Sequence, residues 1–268
     1  MGYGRSMPIL YRRVKGVIQE RLRGLGYGQS EKSLELAVLE SQFSRLGLDF
    51  PKAQQQTTAL LAKNGLHRSD DSLHYELFSA ISSVFSPKRV LEIGTFRGEF
   101  TAFLGALFPE AYVETWDLPR SSDPQMREYC AEFEKHYHDQ SSTRIINLKD
   151  ATNIHQIFLD STHLVKSADE FDLVWVDGDH SFPVVAFDII NALRLASPKA
   201  WIVVDDIRLT DLTKSNLGST QGFECVRHLT ASGLVDSSLV YKRVGNNNRH
   251  WRDDNRRKHL AVMRTKDS

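Results

Sequence analysis

Arg89-Val-Leu-Glu-Ile-Gly-Thr-Phe-Arg-Gly-Glu-Phe100 is the stretch on which the reading of this chain turns. Val90, Leu91 and Ile93 make the short apolar run that a buried strand needs. Gly94 and Gly98 bracket a tight turn, and Phe100, Phe103, Leu104 and Leu107 then recur at helical spacing until Pro109 stops the run. A strand, a glycine turn and a helix in that order aim backbone N–H groups and the positive end of a helix dipole at one point. That point is a natural seat for a polar ligand.

The pattern is Glu-x-Gly-x-x-x-Gly, with Glu92 just before the first glycine and Thr95 and Phe96 inside the turn. Phe96 stands where a dinucleotide fingerprint, Gly-x-Gly-x-x-Gly, needs its second glycine to admit a pyrophosphate. S-adenosylmethionine (SAM), which has no phosphates, is therefore favoured over NAD. A single turn of this kind is as often structural as functional, so the rest of the chain has to decide.

Working outward, the 268 residues carry 34 lysines plus arginines and 34 aspartates plus glutamates, for a formal net charge of zero. A nucleic-acid binder would show a basic excess, and none is present. No apolar run approaches the ~18 residues of a membrane span, and no signal-peptide core opens the chain. The two cysteines, Cys130 and Cys225, lie far apart without metal-ligand spacing and suit a reducing compartment. A cytoplasmic protein with neither a membrane nor a nucleic-acid partner is expected.

Residues 1–70 differ in texture from the remainder. Val14, Ile18, Leu22 and Leu25 mark one helix over 11–25; Leu36, Leu39, Phe43 and Leu46 mark another over 31–46. This helical appendage is expected to cover a substrate pocket, to make a homodimer or higher homo-oligomer contact, or to be a plain surface pair. From Asp70 the pattern becomes α/β. A helix on Leu73, Leu77, Ile81 and Val84 leads to the strand 89–93. Further strands are expected at 112–116, 144–148, 171–176 and 201–204, with helices between them, one near 154–158. A last helix at 221–231 precedes a strand pair at 239–244 and 260–263. Seven strands of this kind give a doubly wound, mostly parallel sheet.

In such a sheet ligands sit outside the carboxyl ends of the strands. The residues expected there are Glu92 and Gly94, Asp117, Asp150 with Ala151, Asp177 with His180, and Asp205 with Asp206. Aspartates are common helix caps, but five acidic strand ends in succession are harder to read as caps alone. Asp117 presents two acceptor oxygens to a ribose diol, and Asp150 with the Ala151 backbone could read an adenine edge. Asp177, Asp205 and Asp206 end neighbouring strands about 4.8 Å apart. Three ionised carboxylates in one place need a cation, and hard oxygen ligands suit Mg²⁺, with Mn²⁺ or Ca²⁺ as alternatives. The adjacent pair at 205 and 206 meets that requirement only if the chain bends there. His180, three residues past Asp177, is placed to act as general base.

Over roughly 72–264 the sequence resembles the class I SAM-dependent methyltransferases. Val90-Leu-Glu-Ile-Gly-Thr-Phe-Arg-Gly98 looks like their first motif. Val176-Asp-Gly-Asp-His-Ser-Phe182 followed by Ile202-Val-Val-Asp-Asp206 is similar to a branch of metal-dependent small-molecule O-methyltransferases, including macrolide-sugar enzymes and, more distantly, catechol O-methyltransferase. The resemblance implies a Rossmann-like methyltransferase fold in 71–268. It places Glu92, Gly94, Gly98, Asp117 and Asp150 around SAM, a divalent metal on Asp177, Asp205 and Asp206, and His180 as base. It also implies a small-molecule hydroxyl acceptor of sugar or natural-product type. Two departures stand out. Phe182 occupies a place where tyrosine is common, and Asp205-Asp206 stands where the catechol enzymes carry Asp-Asn. A metal-free methyltransferase and a nicotinamide oxidoreductase on a similar sheet are the competing readings.

Overall fold

The computed structural model describes residues 29–68, 70–118, 140–210, 220–245 and 257–266. The helices expected at 11–25 and 123–138 lie outside these residues. The described residues begin with three helices: α1 (Gln29–Arg45), α2 (Phe50–Asn64) and α3 (His74–Ser82). Helix α2 has clear punctuation. The Asp49 carboxylate accepts from the Lys52 backbone N–H, Pro51 sits in the first turn, and Gly65 closes the last one in a left-handed conformation.

The α/β part then runs β1 (Arg89–Ile93), α4 (Glu99–Leu107), β2 (Tyr112–Asp117), α5 (Gln140–Leu148), β3 (Ile154–Phe158), a 3₁₀ turn (Ser161–Lys166), β4 (Phe171–Val176), α6 (Val184–Leu195), β5 (Ala196–Arg208), α7 (Gln221–Ala231), β6 (Val235–Tyr241) and β7 (Lys258–Thr265). The seven strands form one sheet in the order β3-β2-β1-β4-β5-β7-β6. Pairings from β3 through β5 are parallel, and β7 runs antiparallel to both of its neighbours. The doubly wound, mostly parallel seven-stranded sheet expected from the sequence is the fold observed.

Alternation along the strands builds two cores. Val90, Leu173, Trp175, Trp201, Val203, Leu260 and Val262 face a layer of α1 to α4, meeting Leu39, Phe43, Phe50, Phe78 and Phe103. Leu91, Ile93, Val174, Val176, Ile202, Val204 and Met263 face the other way, onto Val185, Ile189 and Ala192 of α6 and Val226 and Leu229 of α7. A strand covered on both faces must be apolar at nearly every position, as β4 is. The helices before residue 70 therefore share a core with the sheet. Their polar ties reach the same elements: the Tyr241 backbone N–H donates to Gln42, and the Thr57 and Ser79 hydroxyls lie 2.7 Å apart between α2 and α3.

One expectation is reversed. Residues 144–148, read as the third strand, form the end of helix α5, and 154–158, read as helix, are strand β3. In α5 the β-branched pair Ile145 and Ile146 is exposed, while Arg144, Asn147 and Leu148 turn inward at helical spacing. Among the described residues strand β3 is the sheet edge and pairs only with β2, so it needs no continuous apolar run. Asp150 and Ala151 consequently sit in the turn before β3, at its amino end. The site residues face the opposite edge of the sheet, and the Asp150 side chain is 89 % exposed.

Candidate functional site

Register alone gathers four of the expected residues into a row. Ile93 pairs with Trp116 on one side and Val176 on the other, and Val176 pairs with Val204. The next residues, Gly94, Asp117, Asp177 and Asp205, therefore stand side by side at the carboxyl ends of four adjacent strands. Close approach of β1 and β4 depends on Gly94. Its φ is 103°, the Asp177 N–H donates to the Ile93 carbonyl at 2.8 Å, and a Cβ at residue 94 would lie 2.2 Å from the Asp177 carbonyl oxygen.

The glycine turn is held from three sides. The Phe96 N–H donates to Asp117 Oδ2 at 3.0 Å, and the Leu118 N–H donates to Asp117 Oδ1. Arg144 of α5 pairs with Asp117 and donates from Nε to the Phe96 carbonyl at 2.5 Å, while Asn147 donates to the Arg97 carbonyl. Burial raises the Asp117 carboxyl above its ordinary value, an effect the Arg144 guanidinium only partly offsets. Gly98, with φ 76°, begins helix α4.

Glu92 and Thr95 lie beneath this surface. Glu92 is 1 % exposed, and its Oε2 accepts from the Thr101 and Thr115 hydroxyls, both at 2.5 Å; the Thr95 hydroxyl lies 2.6 Å from that of Thr115. Both were expected among the cofactor contacts. Here their side chains tie β1 to β2 and α4 from inside. Burial pushes the Glu92 carboxyl up from 4.5 to about 7.

At the other end of the row the bend required by Asp205-Asp206 is present. Val204 pairs with Ala261 and Ile207 with His259, so β5 advances three residues while β7 advances two. The extra residue forms a bulge, and Asp206 takes φ 53°. As a result both carboxylates turn to one place. Lys242 Nζ donates to Asp205 Oδ2 at 2.5 Å and to Asp206 Oδ1 at 2.6 Å, and Lys258 pairs with Asp206 Oδ2. Asp179 accepts from the Ser181 N–H and so turns the chain after β4. His180 Nε2 comes to 3.5 Å from Asp177 Oδ1 and 3.7 Å from Asp206 Oδ2. A ligand atom each from Asp177, His180 and Asp205 lie within 4.8 Å of one another. Burial and the neighbouring Asp205 carboxylate raise Asp177 well above the usual carboxylate range. Burial opposes charge on Asp205 as well, but Lys242 and His180 hold it below that range.

Four residues at this edge escaped the sequence reading. Lys242 and Lys258 supply the cation that three clustered carboxylates demand; an acidic pair ending a buried strand is itself a signal to look for such partners. Arg144 was masked by the strand reading of its segment. Asp160, next but one after the end of β3, holds the position that Asp150 was expected to fill, and its carboxylate accepts from the Thr162 N–H.

Residues 91–207 match the family model described as a methyltransferase domain. Among curated proteins none matches the chain in sequence. Solved structures with this fold include cofactor-bound Rv0187 from MTB, at 21 % identity over 81 % of this chain and 90 % of that one, TM-score 0.52. The O-methyltransferase TomG from Streptomyces achromogenes, in complex with SAM, is 20 % identical over 86 % and 96 %, TM-score 0.51. The O-methyltransferase from Bacillus cereus, in complex with SAH, is 18 % identical over 86 % and 97 %, TM-score 0.53. The chain has the fold of the class I methyltransferases.

Proposed function

We propose that this protein transfers the methyl group of SAM to a hydroxyl oxygen of a small molecule, of sugar or natural-product type, with a divalent cation in the acidic row. The observation that carries the reading is the row itself: a glycine turn beside a strand-end carboxylate at one end, and a histidine among converging carboxylates at the other. Two similar structures contain SAM or SAH, which agrees with it.

The residues fit both groups. For SAM, Gly94 and Gly98 shape the turn, and Asp117 accepts from the ribose hydroxyls in place of Arg144. Phe158 and Leu159, about half exposed at the end of β3, offer an apolar wall for the purine. SAM supplies the electrophilic sulfonium methyl. For the cation, Asp177 and Asp205 offer hard oxygens, and among the described residues no ammonium rests on the buried Asp205 Oδ1. A divalent ion there would supply a Lewis acid for neighbouring acceptor oxygens.

The chain's own residues do the rest. His180 Nε2 takes the hydroxyl proton, and the Asp177 and Asp206 carboxylates steady the resulting imidazolium. Bound SAM would supply the methyl group to that oxygen, its methyl–sulfur bond giving way to the new C–O bond, and would leave as S-adenosylhomocysteine. Positioning supplies most of the acceleration, because methyl transfer requires no covalent catalyst.

Two measurements check this. Calorimetry should detect SAM and SAH but not NAD. Transfer of labelled methyl to a panel of hydroxylated acceptors should fall by about 10²–10⁴-fold in His180→Ala and should be lost on chelation. Absence of SAM binding would overturn the cofactor assignment, and full activity in EDTA would remove the ion.

A further inference from the structure

Lys242 is 5 % exposed, one of the few lysines a protein of this size encloses so fully. It stands just past β6, with its own N–H on the Lys258 carbonyl and its carbonyl accepting from the Leu73 N–H before α3. Its position is thus fixed by the sheet hairpin and by the helical layer together. From there its ammonium spans the bulge of β5 and touches both Asp205 and Asp206. Three of the four carboxylate oxygens of that pair rest on ammonium groups. The fourth, Asp205 Oδ1, is buried with no ammonium on it among the described residues. A bound divalent ion would draw the proton from Asp177, and in that state three carboxylates face two ammoniums, so one negative charge is left over.

We propose that Lys242 is the resident counter-cation of the acidic row, a positioning residue that holds Asp205 and Asp206 together and sets how strongly the row takes a divalent ion. The proposal builds on the ion-assisted reading above. With both lysines in place, a divalent ion and an ionised acceptor oxygen bring the row to neutrality: one excess negative charge, two positive, one negative. Without Lys242 the row would hold the ion harder and leave the acceptor oxygen facing a net negative site. Lys242 therefore weakens ion binding and favours ionisation of the acceptor.

The test is a titration of Mn²⁺ into the purified full chain, followed by calorimetry and by the electron paramagnetic resonance signal of free Mn²⁺. Lys242→Met is expected to bind Mn²⁺ about tenfold more tightly than the unaltered protein, because a unit charge a few ångströms away is removed. Lys242→Arg should bind as the unaltered protein does. A merely structural role would weaken binding in the Met variant, so tightening is the distinguishing sign. A folded Lys242→Met that binds Mn²⁺ no tighter overturns the proposal. If that variant does not fold, Lys258→Met must still tighten binding severalfold, and no change there overturns it equally. If the unaltered protein binds no Mn²⁺ but Lys242→Met does, the lysine stands in for the ion, and it is the ion-dependent reading that falls.

Discussion

At the scale of single residues, Glu92 shows how a motif residue can serve the fold rather than the ligand. Its carboxylate is enclosed by two threonine hydroxyls under the glycine turn, and burial lifts it from 4.5 to about 7. The unfolded chain ionises near 4.5, while the folded chain resists until about 7. Stability from this group is therefore complete below 4.5 and is lost as pH rises through 7. Glu92→Gln removes that dependence. Between pH 4.5 and 7 the unaltered protein should lose about 3 kcal/mol relative to the variant, read as a widening gap between their urea midpoints. His74 acts in the opposite sense. Burial among Tyr75, Phe100 and Trp175 pushes it down to about 3, so its contribution is present above pH 6.5 and fades in acid.

At the scale of elements, helix α5 covers the glycine turn. Arg144 occupies both Asp117 and the Phe96 carbonyl, and Leu148 with Arg144 packs where a side chain on Gly98 would go. A ribose diol must displace that guanidinium to use Asp117. Arg144→Met should therefore bind SAH more tightly, by about tenfold for one charged hydrogen-bonded contact removed from competition. It should also raise amide hydrogen exchange across 140–148. Unchanged exchange would show that Arg144 does not hold the helix down. The β1–turn–α4 unit was legible because its apolar run, glycines and helical spacing all agree. The β3 region was not. An edge strand covered on one side only has no full apolar signature, and a short helix bearing Arg144, Ile145 and Ile146 imitates one. The place of Asp150 was misread with it, whereas the strand-end places of Asp117, Asp177 and Asp205 were legible because strands buried on both faces declare their ends. The bulge at Asp206 was required by the chemistry but could not be read from letters alone.

At the scale of the whole molecule, the helical cover on both faces of the sheet explains why texture misleads about boundaries. The first seventy residues look unlike the rest, yet Leu39, Phe43, Phe50 and Ala53 belong to the same core as Trp175 and Val203. A fragment beginning at residue 70 would expose that sheet face. It should aggregate or lack a cooperative thermal transition, as circular dichroism would record; a sharply melting fragment would mean that the sheet keeps its packing unaided. Among the described residues no helix is long and apolar enough to cross a membrane.

Helix α1 also grips the segment that carries Lys242. Gln42 accepts from the Tyr241 N–H on one side of it, and Glu35 accepts from the Gly245 N–H on the other. These two side chains make α1 a remote handle on the acidic edge of the sheet. Natural variation there, or a companion molecule pulling on that helix, would be felt as a shifted Lys242 ammonium in a row of carboxylates that the helix never touches.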